Sequence, residues 1–329
     1  MASLHLDPRD LLVPSLRPPE YGFLAVLMRG VFTLSIQHRS LAYRHVDVFS
    51  KIPFSGNGLT VFPESNGLSV QIMQCITQEM RQFESIFLHV EPSSSLVKAS
   101  IFTMEEELAF AGHPVLGAAC VLHEQRAENL QQAEWQFHLK TGIIPVTTRR
   151  REGWYTATMD QGIPTFGAVA PQEVQQQVLS ALNLSVEALY DNLPMQMVST
   201  GLPYLLIMLK NDLEKAQIIH PAFEGLLAQM GAKFVYVFHL PTMEGRTWDN
   251  MGHVEDVATG SAAGPTGAYL VRYGKAQMGT EIVLRQGSFV GRPSQISVLV
   301  TGTSGAITSV QVSGDVAMVA RGVIDAVVR

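Results

Sequence analysis

Ala111-Gly112-His113-Pro114-Val115-Leu116-Gly117-Ala118-Ala119 and Ala258-Thr259-Gly260-Ser261-Ala262-Ala263-Gly264-Pro265-Thr266-Gly267-Ala268 read as two copies of one device, with Gly112 and Gly260 standing 148 residues apart. In each, a small residue, a glycine and a hydrogen-bonding side chain lead into a run of small and apolar residues that suits a buried or amphipathic helix. This is the sequence form of a helix N-terminus left open. The first backbone N–H groups of a helix have no internal partner, and the macrodipole adds about half a positive charge there, so such an end attracts a carboxylate or a phosphate. Two such ends predict a doubled fold that grips one anion.

Composition fits an enzyme with a small-molecule substrate. The chain has 329 residues, 47% hydrophobic and 16% charged, which is long enough for two cores and far from a disordered composition. Lys and Arg number 23 against 29 Asp and Glu, for a net charge of −6, and no basic run or aromatic-basic interleaving occurs. Nucleic acid is therefore not expected as a partner. The two cysteines, Cys75 and Cys120, both fall inside apolar helical patterns and read as buried thiols in a reducing compartment. At the N-terminus the apolar run 23–28 is cut by Arg29, so neither a signal peptide nor a span of about 20 apolar residues is present. The expectation is a cytoplasmic protein with no membrane partner. Residues 1–42 read as an N-terminal extension: an arm packed on the body, a disordered leader, or an overlong start ahead of Met28.

From Tyr43 onward strand and helix signals alternate as in an α+β protein. Strand-like runs fall at 45–49, 85–90, 97–104, 135–139, 154–159, 196–199, 204–209, 234–240, 281–284, 296–300 and 310–312. Helices are expected at 70–81, 114–124, 172–182, 222–230 and 262–273, most ending near Gly, Asn or a basic residue. Polar breaks at 149–153 and 160–164 place a boundary between halves 43–155 and 156–329. Within each half the order is strands, a helix, more strands, the small-residue helix and strands again, which an internal duplication explains most simply.

Other chemistries fail on spacing. The ten histidines include no His-Glu-x-x-His and no Cys/His cluster, so no metal site is expected. Gly260-Ser261-Ala262-Ala263-Gly264 lacks the residue that a hydrolase nucleophile elbow places between glycine and serine. Neither Gly-x-Gly-x-x-Gly nor a phosphate-loop lysine motif occurs, so no cofactor is expected. A cysteine-pair racemase is excluded as well, because no thiol sits in either small-residue motif and Cys120 lies seven residues past His113.

Phe49, Pro53-Phe54, Gly56-Asn57, Phe83-Glu84-Ser85-Ile86-Phe87, Phe102-Thr103 with Glu107-Leu108, and Ala111-Gly112-His113-Pro114 carry a resemblance. So do Glu255-Asp256-Val257-Ala258-Thr259-Gly260-Ser261-Ala262, Arg285-Gln286-Gly287 and Gly291-Arg292-Pro293-Ser294. In this order, over about residues 43–322, they resemble the family of the phenazine-biosynthesis isomerase. The resemblance implies the fold of diaminopimelate epimerase: two similar lobes, each a mixed β-sheet wrapped around a central helix, with the active site between them and C-terminal strands that can return to the first lobe. The paired open helix ends would then belong to the central helices.

The same resemblance implies a cofactor-independent isomerase that moves a proton on a small, unsaturated or amino-substituted carboxylic acid. It points to Glu84 as catalytic acid/base, with His113 and Asp256 beside it and Ser261, Gly260, Gly112 and Asn57 around the substrate. A homodimer is the family habit. A glutamate can take a proton from carbon where it is shielded from water or where the carbanion is delocalised; Phe83, Ile86 and Phe87 would shield it, and helix ends gripping the substrate carboxylate would aid delocalisation. Read one at a time, the residues have duller roles: a turn glutamate, a capping histidine, a loop aspartate, an N-cap serine and a turn asparagine. A carboxylate-binding protein without turnover, and an epimerase or lyase using the same proton transfer, are the alternatives. The chain departs from the family pattern at Val257 and Met104, where proline is usual, and at Gly58, again in place of proline. Phe83 and Ser85 flank Glu84 in place of Ser and Thr. These changes leave the presumed chemistry and alter the pocket walls.

Overall fold

A computed structural model describes residues 38–90, 96–303 and 305–328. The order begins β1 (His38–Val48), β2 (Asn57–Phe62), α1 (Val70–Met80), β3 (Glu84–Val90), β4 (Leu96–Phe102), β5 (Glu107–Leu108), α2 (Gly112–Arg126), β6 (Gln132–Leu139), β7 (Gly142–Arg150) and β8 (Tyr155–Asp160). It continues β9 (Thr165–Val169), α3 (Gln172–Ala181), β10 (Gln196–Ser199), β11 (Pro203–Leu209), α4 (Phe223–Gln229), β12 (Phe234–His239), β13 (Glu244–Arg246), α5 (Gly260–Arg272), β14 (Glu281–Gln286), β15 (Ser294–Thr303) and β16 (Ala306–Val328).

The strands form one mixed sheet. Its path runs β1-β2-β3-β4-β6-β7-β8-β16-β15-β14-β13-β12-β11-β10-β9, and β16 pairs with β1 as well. The strands from β1 through β8 therefore close with β16 into a ring. Inside it lies α2, which touches β1, β2, β3, β6, β7, β8 and β16 and is buried from Gly112 to His123. A helix enclosed on every side must be apolar all round, and the run from Pro114 to Leu122 is. Gly117 lets it seat closely: a β-carbon there would stand 2.6 Å from Leu59 Cδ2 and 3.0 Å from Val48 Cγ2. Beyond β16 the sheet stays open and ends at β9, and α5 packs against β10, β11, β15 and β16. Gly267 plays the matching part there, with its missing β-carbon 2.5 Å from Val298 Cγ1.

Period two along the strands divides the core. On β3, Ile86 and Leu88 face the cluster around α2, while Phe87 joins Phe62, Phe102 and the α1 residues Met73 and Ile76 in a separate cluster. Glu84 shares the face of Ile86 and Leu88. On β11 and β12, Leu206, Met208, Tyr236 and Phe238 face the main cluster, and Leu205, Ile207, Val235 and Val237 pack beneath α3 and α4.

Each of the five expected helices is present, with α2 and α5 starting two residues earlier than their sequence signals. The break at 149–153 is the turn between the paired strands β7 and β8. Because β8 pairs with β7 and β16, the ring extends to Asp160. Of the expected extension 1–42, residues 1–37 lie outside the described residues, and residues 38–42 belong to β1. The long β16 pairs first with β15, then with β8, and finally with β1.

Candidate active site

The open helix ends come first. Ala111, in extended conformation with φ −150° and ψ 138°, precedes α2, and Thr259 precedes α5; neither end has a side-chain capping bond. By contrast, Ser69 caps α1 by accepting from Ile72 N at 3.3 Å. Pro114, at the third position of α2, has no N–H, so the donors of that end are those of Gly112 and His113. The two ends meet: a β-carbon on Gly112 would lie 3.9 Å from Ser261 N. Phe49 closes the α5 side, where a β-carbon on Gly260 would come within 2.8 Å of its Cζ.

Three titratable groups converge on this junction. Glu84, at the start of β3, places Oε2 3.2 Å from His113 Nε2, with side chains 18% and 8% exposed. The contact is close but out of hydrogen-bond line, and buried Nε2 has no hydrogen-bonding partner among the described residues. Burial opposes charge on His113, yet the Glu84 carboxylate, with Asp256 beyond it, holds its pKa above the ordinary histidine value. Asp256 is shifted upward too, by burial first and by the negative charge of Glu84 second, while Thr259 and His113 act against this. The cluster therefore favours one shared proton more than three independent charges would.

Asp256 is held from several directions. Asn57 Nδ2 donates to Asp256 Oδ1 and to Ala258 O, both at 3.0 Å, and Thr259 Oγ1 donates to Asp256 Oδ2 at 2.5 Å. Gln286 Nε2 donates to Asp256 O at 2.9 Å and to Thr259 Oγ1 at 3.0 Å. Gln286 Oε1 accepts from Thr259 N and from Tyr236 OH, each at 3.1 Å. Asn57, fully buried, leaves its own Oδ1 without a hydrogen-bonding partner among the described residues. Ser261 is the second residue of α5 and not its N-cap; its Oγ shares a 2.8 Å hydrogen bond with Tyr204 OH. Burial pushes the Tyr204 phenol well above its ordinary range, so it stays neutral. Gln161 Nε2 donates to Gly260 O at 3.1 Å, and Gln161 Oε1 accepts from Thr200 Oγ1 at 2.7 Å.

The structure thus brings Glu84, His113, Asp256, Asn57, Gly112, Gly260 and Ser261 to one locus. Sequence reading missed Tyr204, Gln161 and Thr200, which sit outside any motif, and gave no role to Gln286 although it lies in a quoted one. The expected apolar shield differs in part. Ile86 is buried on the face of Glu84, but Phe87 is buried on the opposite face of β3 and Phe83 is 42% exposed. Among the described residues no group of three or more His, Cys, Asp or Glu is placed to hold a metal ion, and no helix is long and apolar enough to cross a membrane.

Comparison with known proteins shows which family and which folds this chain resembles. Residues 46–322 match the family described as phenazine biosynthesis-like protein. The trans-2,3-dihydro-3-hydroxyanthranilate isomerase of Pseudomonas chlororaphis is 34% identical over 289 residues, 86% of this chain and 98% of that protein. An uncharacterised isomerase of Salmonella typhimurium is 31% identical over 82% of this chain and 93% of its own. Among solved structures, a predicted epimerase from Pseudomonas aeruginosa superposes with a TM-score of 0.80 at 44% identity, covering 86% of this chain and 99% of that one. A hydroxyproline epimerase from Agrobacterium vitis, 13% identical over 88% of this chain and 93% of its own, shares the fold with a TM-score of 0.60.

Proposed function

The chain belongs to the family of phenazine biosynthesis-like proteins and is an isomerase, and from that premise we propose that it moves a proton on a small unsaturated or amino-substituted carboxylic acid, with Glu84 as the acid/base and no cofactor. The observation that carries the reading is the 3.2 Å approach of Glu84 to His113 at the junction of two uncapped helix ends. The substrate carboxylate accepts from the N–H groups around Gly112, His113, Gly260 and Ser261, where two macrodipoles add to the hydrogen bonds. Glu84 removes a proton from a carbon conjugated to that carboxylate. The electron pair spreads toward the anion-binding end, and the same proton, held as glutamic acid beside His113, returns to another carbon of the system. One C–H bond breaks, another forms, the double bond shifts, and the formula is unchanged.

Asp256 orients the substrate opposite Glu84. The unpartnered Asn57 Oδ1 supplies a buried acceptor, which suits a substrate carrying an N–H or O–H donor. The halves 43–155 and 156–329 act as two similar lobes, with β16 returning to the first; α2 lies inside the closed part of the sheet and α5 against its open part, and β16 is shared by both. The working form is a cytoplasmic homodimer; sedimentation of the purified chain checks the dimer. A second reading, epimerisation, draws on the 44%-identical structure described as a predicted epimerase. Placing carboxyls from two halves around one substrate, as Glu84 and Asp256 are here, would serve it equally.

The test uses trans-2,3-dihydro-3-hydroxyanthranilate and a panel of small unsaturated and amino-substituted carboxylic acids in deuterated water. Product should acquire deuterium at the reprotonated carbon only to the extent that protonated Glu84 exchanges with solvent before it returns the proton. Glu84→Gln should fold and bind while turnover falls by about 10²–10⁴, the range for one general base. Near-normal turnover in the folded variant overturns the mechanism.

A further inference from the structure

The loop between β1 and β2 reaches the site through a strut that the chemistry above does not use. Asp47, 1% exposed on β1, accepts from Phe54 N at 2.6 Å and from Arg292 Nη2 at 2.7 Å. Arg292 Nε donates to Gly56 O at 2.7 Å, Ser55 Oγ donates to Pro293 O at 2.5 Å, and Gln295 N donates to Phe49 O at 2.9 Å. This one turn of the second half therefore holds both ends of the 49–56 loop.

The loop needs holding. Phe49 and Phe54 adopt φ +68° and +69°, a region that costs non-glycine residues about 1–3 kcal/mol each. Gly56, at φ +75°, sits so tightly that a β-carbon would stand 2.5 Å from Val48 O. Local preference would not keep this shape. The carbonyl gripped by Arg292 Nε belongs to the peptide group whose N–H is that of Asn57, so fixing Gly56 O fixes the plane from which the Asn57 side chain starts. Asn57 then spends both Nδ2 hydrogens on Asp256 Oδ1 and Ala258 O.

We infer that Arg292 is a positioning residue: through Asp47 and Gly56 it fixes the 49–56 loop, and through Asn57 it sets the orientation of the Asp256 carboxylate opposite Glu84. The inference deepens the proposed function, since the role it gives Asp256 rests on that reading. It is sterically accessible to test because Arg292 is one third exposed.

Removing Arg292 alone would strand the buried Asp47 carboxylate and risk unfolding. The test variant is therefore the neutral pair Asp47→Asn with Arg292→Met, compared with Asn57→Ala and with the triple substitution. The readout is the titration of the Asp256 carboxyl, followed by NMR with side-chain ¹³C-labelled aspartate. Glu84, His113, Tyr204 and Tyr236 also face Asp256 and are kept in every variant. Losing a donated hydrogen bond disfavours the ionised form, so the Asp256 midpoint should rise in the pair variant, rise equally in Asn57→Ala, and rise no further in the triple. With trans-2,3-dihydro-3-hydroxyanthranilate as probe, kcat of the pair variant should fall about tenfold with KM changed less than about twofold. An unmoved Asp256 midpoint in the pair variant while Asn57→Ala shifts it reduces Arg292 to a structural strut and overturns the inference; so does an unmoved midpoint in Asn57→Ala. These titrations require no turnover, so a failure of the Glu84 mechanism is read separately, in Glu84→Gln.

Discussion

One added methyl group at each of the two facing helix ends separates anion binding from folding. At Gly112 the nearest atom to an added β-carbon is Ser261 N, at 3.9 Å, an ordinary contact, and Gly112 has no positive φ. Gly112→Ala should therefore fold as well as the parent, or better by up to about 0.5 kcal/mol from helix propensity. Binding is another matter. An anion oxygen accepting from Ser261 N would lie about 2.9 Å from it, and a methyl carbon 3.9 Å from the same nitrogen crowds that position. Losing one charge-assisted hydrogen bond costs about 1.5–3 kcal/mol, or about 10- to 150-fold in Kd.

Gly260→Ala should behave in the opposite way. Its β-carbon would stand 2.8 Å from Phe49 Cζ, and the Phe49 ring is itself pressed against Gly314, where an added β-carbon would come within 2.4 Å of Cδ1. Neither neighbour can yield cheaply, so overpacking of about 1–3 kcal/mol is expected. The assay is thermal denaturation of each variant, followed by calorimetric titration with whichever small carboxylate most raises the wild-type Tm. Wild-type affinity in a stable Gly112→Ala protein would refute the claim that the substrate carboxylate sits between these helix ends.

Three further outcomes are expected. The pKa of His113 is raised on folding, so its contribution to stability is complete below about 6.5, the unfolded value, and is lost as pH rises through the higher folded value; urea denaturation across this range should show the decline, and Glu84→Gln should flatten it. Cys120 is buried as expected, but Cys75, on the outer side of α1, is exposed; replacing both by alanine should leave turnover nearly intact, with a modest loss of stability from Cys120, and abolished activity in the folded double variant would favour thiol chemistry. Binding of a small carboxylate should draw protons from solution, seen as a buffer-dependent calorimetric enthalpy, and an enthalpy independent of buffer would count against a shared proton in the site.

The helices and the site's skeleton were legible because their constraints are local. Small residues with glycine at fixed offsets announce the ends of α2 and α5, and Gly117 and Gly267 mark where each helix meets strands. The strands missed are those whose signals are global. β2 begins Asn57-Gly58, which reads as a turn, and it is buried at every position, so no alternation appears. β7 carries exposed Ile143 and the terminal Arg149 and Arg150 that suggested a linker, yet its register is fixed by β6 on one side and β8 on the other. Only a short piece of β16 stood out, although the strand spans Ala306–Val328 with glycines at 314 and 322. Gly314 and Gly322 are there because the rings of Phe49 and Tyr43 lie over them, a pairing that no local pattern reveals. Tyr204 and Gln161 were illegible for the same reason: each meets α5 only once the sheet has formed.

Charge balance explains why the candidate site holds two carboxyls and one imidazole. With Glu84 and Asp256 ionised and His113 protonated, the two helix ends supply about the one remaining positive charge through their half-charges. The empty site is then near neutral, and an arriving carboxylate adds a negative charge to a place largely closed to water. Low dielectric makes that imbalance costly, and taking up one proton removes it. Asp256 is the group suited to receive it, because burial and the neighbouring Glu84 already favour its neutral form. A neutral Asp256 still accepts from Asn57 and Thr259, so the substrate stays oriented. The repulsion between the carboxyls would be relieved at the same moment, and the proposed mechanism would leave Glu84 and His113 as the pair that trades a proton with carbon. On this account binding itself divides the labour, and Asp256→Asn should cost less turnover than Glu84→Gln because the amide keeps the neutral charge that Asp256 reaches when substrate is bound, losing only one of its two accepting oxygens.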